Sequence, residues 1–168
     1  MIWASVLRFR MKVLILFLSV LLVESVASAE PFVVIVRHAE KAANDPKDPD
    51  LSPAGHKRAE ALARMLKDSQ ISAVFVTEFK RTAETATPTA KEAGVVPTII
   101  PANDTAALVG KLRGLSSNAL VVGHGNTIPN LVKAIGIQAP VNIPDEDYSE
   151  IFVVILGDKP ELLRLHHP

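Results

Sequence analysis

From Phe32 onward the chain alternates between two kinds of apolar pattern. Short runs rich in β-branched residues occur at 32–36, 71–76, 95–100, 119–122 and 151–156, the length and texture of strands buried on both faces. Helical spacing fills most of the intervals. Ser52 is a good N-cap with Pro53 at the first helical position, and Ala59, Leu62, Ala63 and Leu66 then fall on one face opposite Lys57, Arg58, Glu60 and Arg64, predicting a helix over Pro53 to Lys67. Further helices are predicted over Lys80 to Glu92, Thr105 to Leu112 and Thr127 to Ile135, the last ended by Gly136. Such alternation predicts an α/β fold, a three-layer sandwich with a mostly parallel central sheet and helices on both faces. Near the C-terminus the rhythm changes. Glu150 to Leu156, the turn Gly157-Asp158-Lys159-Pro160 and Glu161 to His166 read as an antiparallel hairpin at one edge of the sheet. The stretch 44–53, with Pro46, Pro49, Pro53 and several aspartates, is a loop between the first strand and the first helix.

Ahead of the first strand lies a different pattern. Arg8, Arg10 and Lys12 precede an apolar run from Val13 to Val23, broken only by Ser19, and Ala27-Ser28-Ala29 offers small residues for cleavage. This is the layout of a bacterial-type secretory signal peptide, so residues 1–29 are assigned to a leader cut after Ala29 and residues 30–168 to one domain. The run is shorter than the roughly 20 apolar residues that a membrane span requires, and an uncleaved leader would be the chain's one link to a membrane. Met11 is an alternative start, because the apolar core and the cleavage site both follow it. The expected address is secreted or periplasmic.

Charge and cysteine content narrow the classes further. There are 18 basic and 18 acidic residues; without Arg8, Arg10, Lys12 and Glu24 of the leader, 15 face 17. A nucleic-acid binder needs a basic surface to neutralise phosphates, so that class is set aside. Cysteine is absent, which excludes disulfides, thiol nucleophiles and thiolate metal sites.

The candidate chemistry sits at the ends of strands. Arg37 and His38 follow the first run, Thr77-Glu78-Phe79-Lys80-Arg81 follows the second, and His124, Gly125 and Asn126 follow the fourth. In an open α/β sheet the carboxyl ends of parallel strands converge on one crevice, so residues far apart in sequence share a site there. A guanidinium is always charged and offers a planar fork of donors, and two of them suggest a phosphoryl group. Helix N-termini near Arg81 and Asn126 would add backbone donors. A neutral imidazole is a competent nucleophile, and a second, protonated one can donate to the moving phosphoryl oxygens. Lys41 and Asn126 flank the site.

Arg37-His38-Ala39-Glu40 resembles the Arg-His-Gly signature of the histidine phosphatase superfamily, the group that includes cofactor-dependent phosphoglycerate mutases and short bacterial phosphohistidine phosphatases. Leu51-Ser52-Pro53-Ala54-Gly55, Thr77 with Arg81 and Thr85-Ala86 behind it, and Val122-Gly123-His124-Gly125 match further motifs in the family's order, over essentially the whole chain after the leader. The resemblance implies that His38 is the phosphorylated nucleophile, that Arg37, Arg81 and His124 complete the phosphate pocket, and that no metal or other cofactor is needed. The implied partner is a small phosphorylated substrate. With the leader, the compact length also resembles periplasmic members acting on phosphorylated lipopolysaccharide sugars, which points to a cell-envelope sugar phosphate.

One part of the pattern is thin. Mutases and broad phosphatases of the superfamily carry a glutamate, in an insertion after the second arginine's helix, that protonates the leaving group. Here the only acidic residue between Gly94 and Gly110 is Asp104, which makes it a candidate for the general acid. Glu40 and Glu78 lie nearer the strand ends and are the alternatives, although a carboxylate beside phosphate is repelled unless protonated. Short phosphohistidine phosphatases lack the acid, and a chain without it favours good leaving groups, since general acid catalysis contributes about 10²–10⁴-fold. Two other readings compete with a phosphatase. One is a non-catalytic module of the same fold that binds a phosphorylated ligand; the other is a metal-dependent hydrolase using His38, His124 and Glu40, which leaves two arginines beside a cation unexplained.

Overall fold

A computed structural model describes residues 30–167; the leader assigned to 1–29 lies outside the described residues. The alternation read from the sequence becomes β1 (Phe32–Arg37), α1 (Pro53–Leu66), β2 (Ile71–Val76), α2 (Lys80–Ala93), β3 (Thr98–Ile99), α3 (Thr105–Arg113), β4 (Asn118–Gly123), α4 (Ile128–Ile135), β5 (Glu150–Ile155) and β6 (Glu161–His166). The strands form one sheet in the order β3-β2-β4-β1-β5-β6. β1 to β4 run parallel, while β5 is antiparallel to β1 and β6 to β5, giving the expected hairpin on one edge.

Because successive side chains on a strand point to opposite faces, each central strand feeds two cores. Val33 and Ile35 of β1, Ala119 and Val121 of β4, and Phe152 and Val154 of β5 pack under α3 and α4 against Val109, Leu112, Ile128, Leu131 and Val132. Val34, Val36, Leu120, Val122 and Ile151 face the other way, against Leu62 of α1 and Ala86 and Ala90 of α2. This is why the central runs are apolar at every position rather than alternating. Phe152, fully buried in the first core, would cost about 3–5 kcal/mol on truncation to alanine.

The helix starts follow their caps. Ser52 accepts from the Gly55 N–H at 3.1 Å with Pro53 behind it, as the Ser-Pro pair predicts. The fourth helix begins one residue later than expected, at Ile128, with Thr127 at the cap position.

The strand expected over 95–100 shrinks to Thr98–Ile99. Gly94 adopts φ 67° and ends α2 in a left-handed cap, and the Val95 N–H donates to the Ala90 carbonyl at 3.0 Å, closing the helix rather than joining the sheet. Val96 is 89% exposed, and Pro97 has no N–H to offer a ladder. Only two residues therefore pair with Phe75 and Val76.

Candidate active site

β1 and β4 end side by side. Arg37 is in register with Gly123, and the N–H of His38 donates to the Gly123 carbonyl at 2.9 Å. His38 and His124, the next residue on each strand, thus leave the sheet together with ring centroids 5.4 Å apart. Both are buried, at 4% and 6% exposure.

The loop after His38 is held from two sides. Ala39 packs against Leu51 and Ala59, and its N–H donates to Thr85 Oγ1 at 2.9 Å, while Thr85 donates to the Arg81 carbonyl at 2.7 Å. One α2 hydroxyl therefore ties the backbone beside His38 to the turn carrying Arg81. On the other side α1 comes so close that a Cβ on Gly55 would lie 2.4 Å from the Glu40 carbonyl oxygen, and Ser52 donates its N–H to that same carbonyl at 2.8 Å. Glycine at 55 is what permits this approach.

The His38 tautomer follows from its partner. Nδ1 lies 2.8 Å from the Ala39 carbonyl, and a carbonyl oxygen only accepts, so Nδ1 carries the proton and Nε2 keeps its lone pair. Burial pulls the His38 pKa down to about 4; the bond to Ala39 opposes that, and His124, Arg81 and Arg37 add to it. The ring is neutral at ordinary pH and nucleophilic at Nε2.

Both arginines have buried N–H groups, and the charge of each reaches His38 and His124. Arg37 Nη1 donates to the carbonyls of Pro144, Asp145 and Asp147 at 3.0, 2.6 and 3.1 Å, and its guanidinium lies 4.4 Å from the Tyr148 ring centre. Its Nε is buried with no protein partner. Gly125 lies against it, and a Cβ there would make only an ordinary contact at 3.6 Å. Arg81 stacks 4.2 Å over Phe79, places Nη1 3.6 Å from Asp48 Oδ1, and likewise buries an unpartnered Nε. A buried N–H left without a partner costs about 1–3 kcal/mol, so two of them beside a neutral imidazole mark a place suited to an oxyanion.

His124 completes the group. Its Nε2 is 3.0 Å from Thr77 Oγ1, its ring packs edge-on against Phe79, and burial first, then Arg81, lower its pKa to about 4 against the opposing charge of Glu78.

The other candidates are placed differently. Asn126 is exposed in the turn ahead of α4. Asp104 caps α3, accepting from Ala107 N at 2.9 Å. Glu40 is held by Arg58 Nε and Nη2 at 2.7 to 3.0 Å; burial raises its pKa, but the bonds from Arg58 outweigh that and the net shift is downward. Glu78 accepts from the Ala102 N–H at 2.8 Å, although its charge reaches both Arg81 and His124. Each proposed acid is thus engaged with the scaffold. Among the described residues no group of three or more histidine, aspartate and glutamate side chains is placed to hold a metal ion, and the Glu40 of a zinc site is bound to Arg58 instead.

Sequence reasoning missed three participants. Asp48 belongs to a loop whose aspartates read as turn formers, yet it reaches Arg81. Tyr148 is the chain's only tyrosine, in an otherwise polar segment, and that isolation was the available signal. Thr77 was part of a motif but had no role until its hydroxyl met His124.

A sequence profile of the histidine phosphatase superfamily (branch 1) matches residues 33–103, which include Arg37, His38 and Arg81; His124 lies beyond the match. No curated protein matches the chain. Among solved structures, the protein histidine phosphatase SixA complexed with tungstate is 21% identical, with a TM-score of 0.66 over 80% of this chain and 96% of that one. A mycobacterial glucosyl-3-phosphoglycerate phosphatase is 16% identical, with a TM-score of 0.64 over 82% and 99%. A protein described as mycobacterial hydrolase 1 is 14% identical, with a TM-score of 0.61 over 79% and 96%. At these identities the structures show a shared fold. The chain thus shares the fold of these phosphatases, and over residues 33–103, which carry Arg37, His38 and Arg81, its sequence is similar to the histidine phosphatase superfamily (branch 1).

Proposed function

We propose that the chain is a metal-independent phosphatase that passes a phosphoryl group to His38 and then to water. The observation that carries this reading is the pair of buried, unpartnered Nε–H groups on Arg37 and Arg81 around a histidine whose Nε2 lone pair is free. In the first step Nε2 attacks phosphorus, the bond to the leaving group breaks, and the guanidinium donors hold the equatorial oxygens as charge redistributes. In the second step water attacks the phosphohistidine, the N–P bond breaks, and Nε2 regains its lone pair.

The engagement of Asp104, Glu40 and Glu78 elsewhere favours leaving groups that need little protonation. Aryl phosphates and phosphoramidates fit this best, with alkyl phosphomonoesters slower by up to the roughly 10²–10⁴-fold that a general acid supplies. The leader supports a periplasmic address, where phosphorylated envelope sugars are an available substrate pool; fractionation of expressing cells tests the address.

Incubation with a chromogenic aryl phosphate should give turnover unaffected by a chelator, with an acid-labile phosphoenzyme on the wild type and neither signal in His38→Ala. Turnover that survives this substitution removes His38 as nucleophile. Phosphate binding without turnover in the wild type would instead make the chain a binding module.

A further inference from the structure

His124 has one ring nitrogen whose partner decides its chemistry. Nε2 meets Thr77 Oγ1 at 3.0 Å, and Thr77 Oγ1 in turn meets Thr82 Oγ1 at 3.0 Å. Either hydroxyl of a threonine pair can donate, but the surroundings decide here. Thr82, fully buried, lies 2.8 Å from the Phe79 carbonyl and 3.3 Å from the Thr77 carbonyl. Carbonyls only accept, so the Thr82 proton is committed to one of them. Thr82 also accepts the Thr77 N–H at 3.1 Å, which leaves one lone pair for Thr77.

The Thr77 hydroxyl must then donate to Thr82; otherwise two oxygens would face each other at 3.0 Å with no proton between them. With that proton used, Thr77 Oγ1 can only accept from the ring. We infer that Thr77 and Thr82 form a hydroxyl relay fixing neutral His124 with its proton on Nε2, so that Nδ1 offers a lone pair and the phosphoryl group is bound with one proton held between Nδ1 and a phosphoryl oxygen.

This rests on the phosphatase reading for its ligand and adds positioning residues to it. The proton count is what matters. A ring in the opposite tautomer would donate Nδ1–H to a dianion and take up no proton. In the inferred tautomer the complex carries one proton more than a free dianion and a neutral ring. Monoanion with neutral His124 and dianion with protonated His124 are the same species. The charged and titratable groups facing the ring are Arg37 and His38 from the end of β1 and Glu78 and Arg81 from the start of α2; the two arginines favour the neutral ring and Glu78 opposes them.

The relay has a clean pair of substitutions. Thr77→Val keeps the shape and removes the hydroxyl, whereas Thr77→Ser keeps the hydroxyl and removes the methyl. Long-range proton–nitrogen correlation spectra of the free wild type should show His124 protonated at Nε2. Binding of inorganic phosphate, measured by calorimetry across the second ionisation of the ligand, should weaken about tenfold per pH unit above it in the wild type and in Thr77→Ser. Thr77→Val, checked for folding in the same spectra, should show a mixed tautomer and a flatter profile.

Protonation at Nδ1 in the wild type overturns the relay. So does a wild-type slope in Thr77→Val, or a Thr77→Ser that behaves like Thr77→Val, because either result assigns Thr77 a packing role. The tautomer is read without any turnover. A relay observed in a chain that hydrolyses nothing would therefore sink the phosphatase reading alone, and turnover with the other tautomer would sink the relay alone.

Discussion

Asp48 offers a test of how the site handles charge. Its Oδ1 accepts from the Lys80 N–H at 3.0 Å, which anchors the loop 44–53 at the start of α2, and the same oxygen stands 3.6 Å from Arg81 Nη1. A phosphoryl group arriving at Arg81 must share that guanidinium with a carboxylate or displace it. Asp48→Asn removes the charge while its side-chain carbonyl can still accept from Lys80, so the loop keeps its anchor. Two unit charges at this separation interact by about 1 kcal/mol in a water-like medium and about 4–5 kcal/mol at an effective dielectric near 20. Asp48 is 31% exposed, so the lower figure applies. Removing the competing charge should then tighten phosphate or vanadate inhibition about fivefold. The assay is the inhibition constant at low and high salt, with the difference shrinking as salt screens the pair. An inhibition constant that stays the same or rises, with the loop still anchored, would refute the competition. A fall in kcat confined to alkyl phosphates would also refute it, and would identify Asp48 as a proton donor.

Two further expectations follow from burial and packing. His38 and His124 each titrate near 4 in the folded protein against about 6.5 unfolded, so the native state binds fewer protons between those values; this part of the stability is complete above pH 6.5 and is lost as pH falls towards 4, by up to roughly 3 kcal/mol per histidine. Urea midpoints at pH 7.5 and 4.5 check the sign, and a midpoint that does not drop in acid would show that the rings are not held neutral by burial. Gly55→Ala should destabilise by about 1–3 kcal/mol, since its Cβ would meet the Glu40 carbonyl at 2.4 Å, and an unchanged thermal midpoint would mean that α1 moves aside at no cost.

The parts of the fold written in local pattern were legible from the chain. β1 and β4 carry uninterrupted apolar runs over 32–36 and 119–122 because both faces are covered, and α1 is announced by Ser52-Pro53. The β-branched residues of 95–100 suggest a longer strand than forms, because the αL cap at Gly94 draws the Val95 N–H into the helix. Arg37, His38, Arg81 and His124 could be grouped because strand direction alone brings strand ends together. The acids could not be judged in the same way. Whether Asp104, Glu40 or Glu78 is free depends on Ala107, Arg58 and Ala102, partners that no sequence spacing discloses. Asp48 was hidden for the converse reason, since a loop aspartate reads as a turn former until its long-range partner is known.

β1 has one more consequence. The chain enters the domain at residue 30, beside the amino end of this strand, and His38 follows its carboxyl end, so the two points are separated by the strand's own length of roughly 20 Å. A segment joined ahead of residue 30 would meet the domain at one end of this strand, while His38 lies at the other. If His38 reacts as proposed, changes at the entry to the domain would therefore leave that chemistry undisturbed.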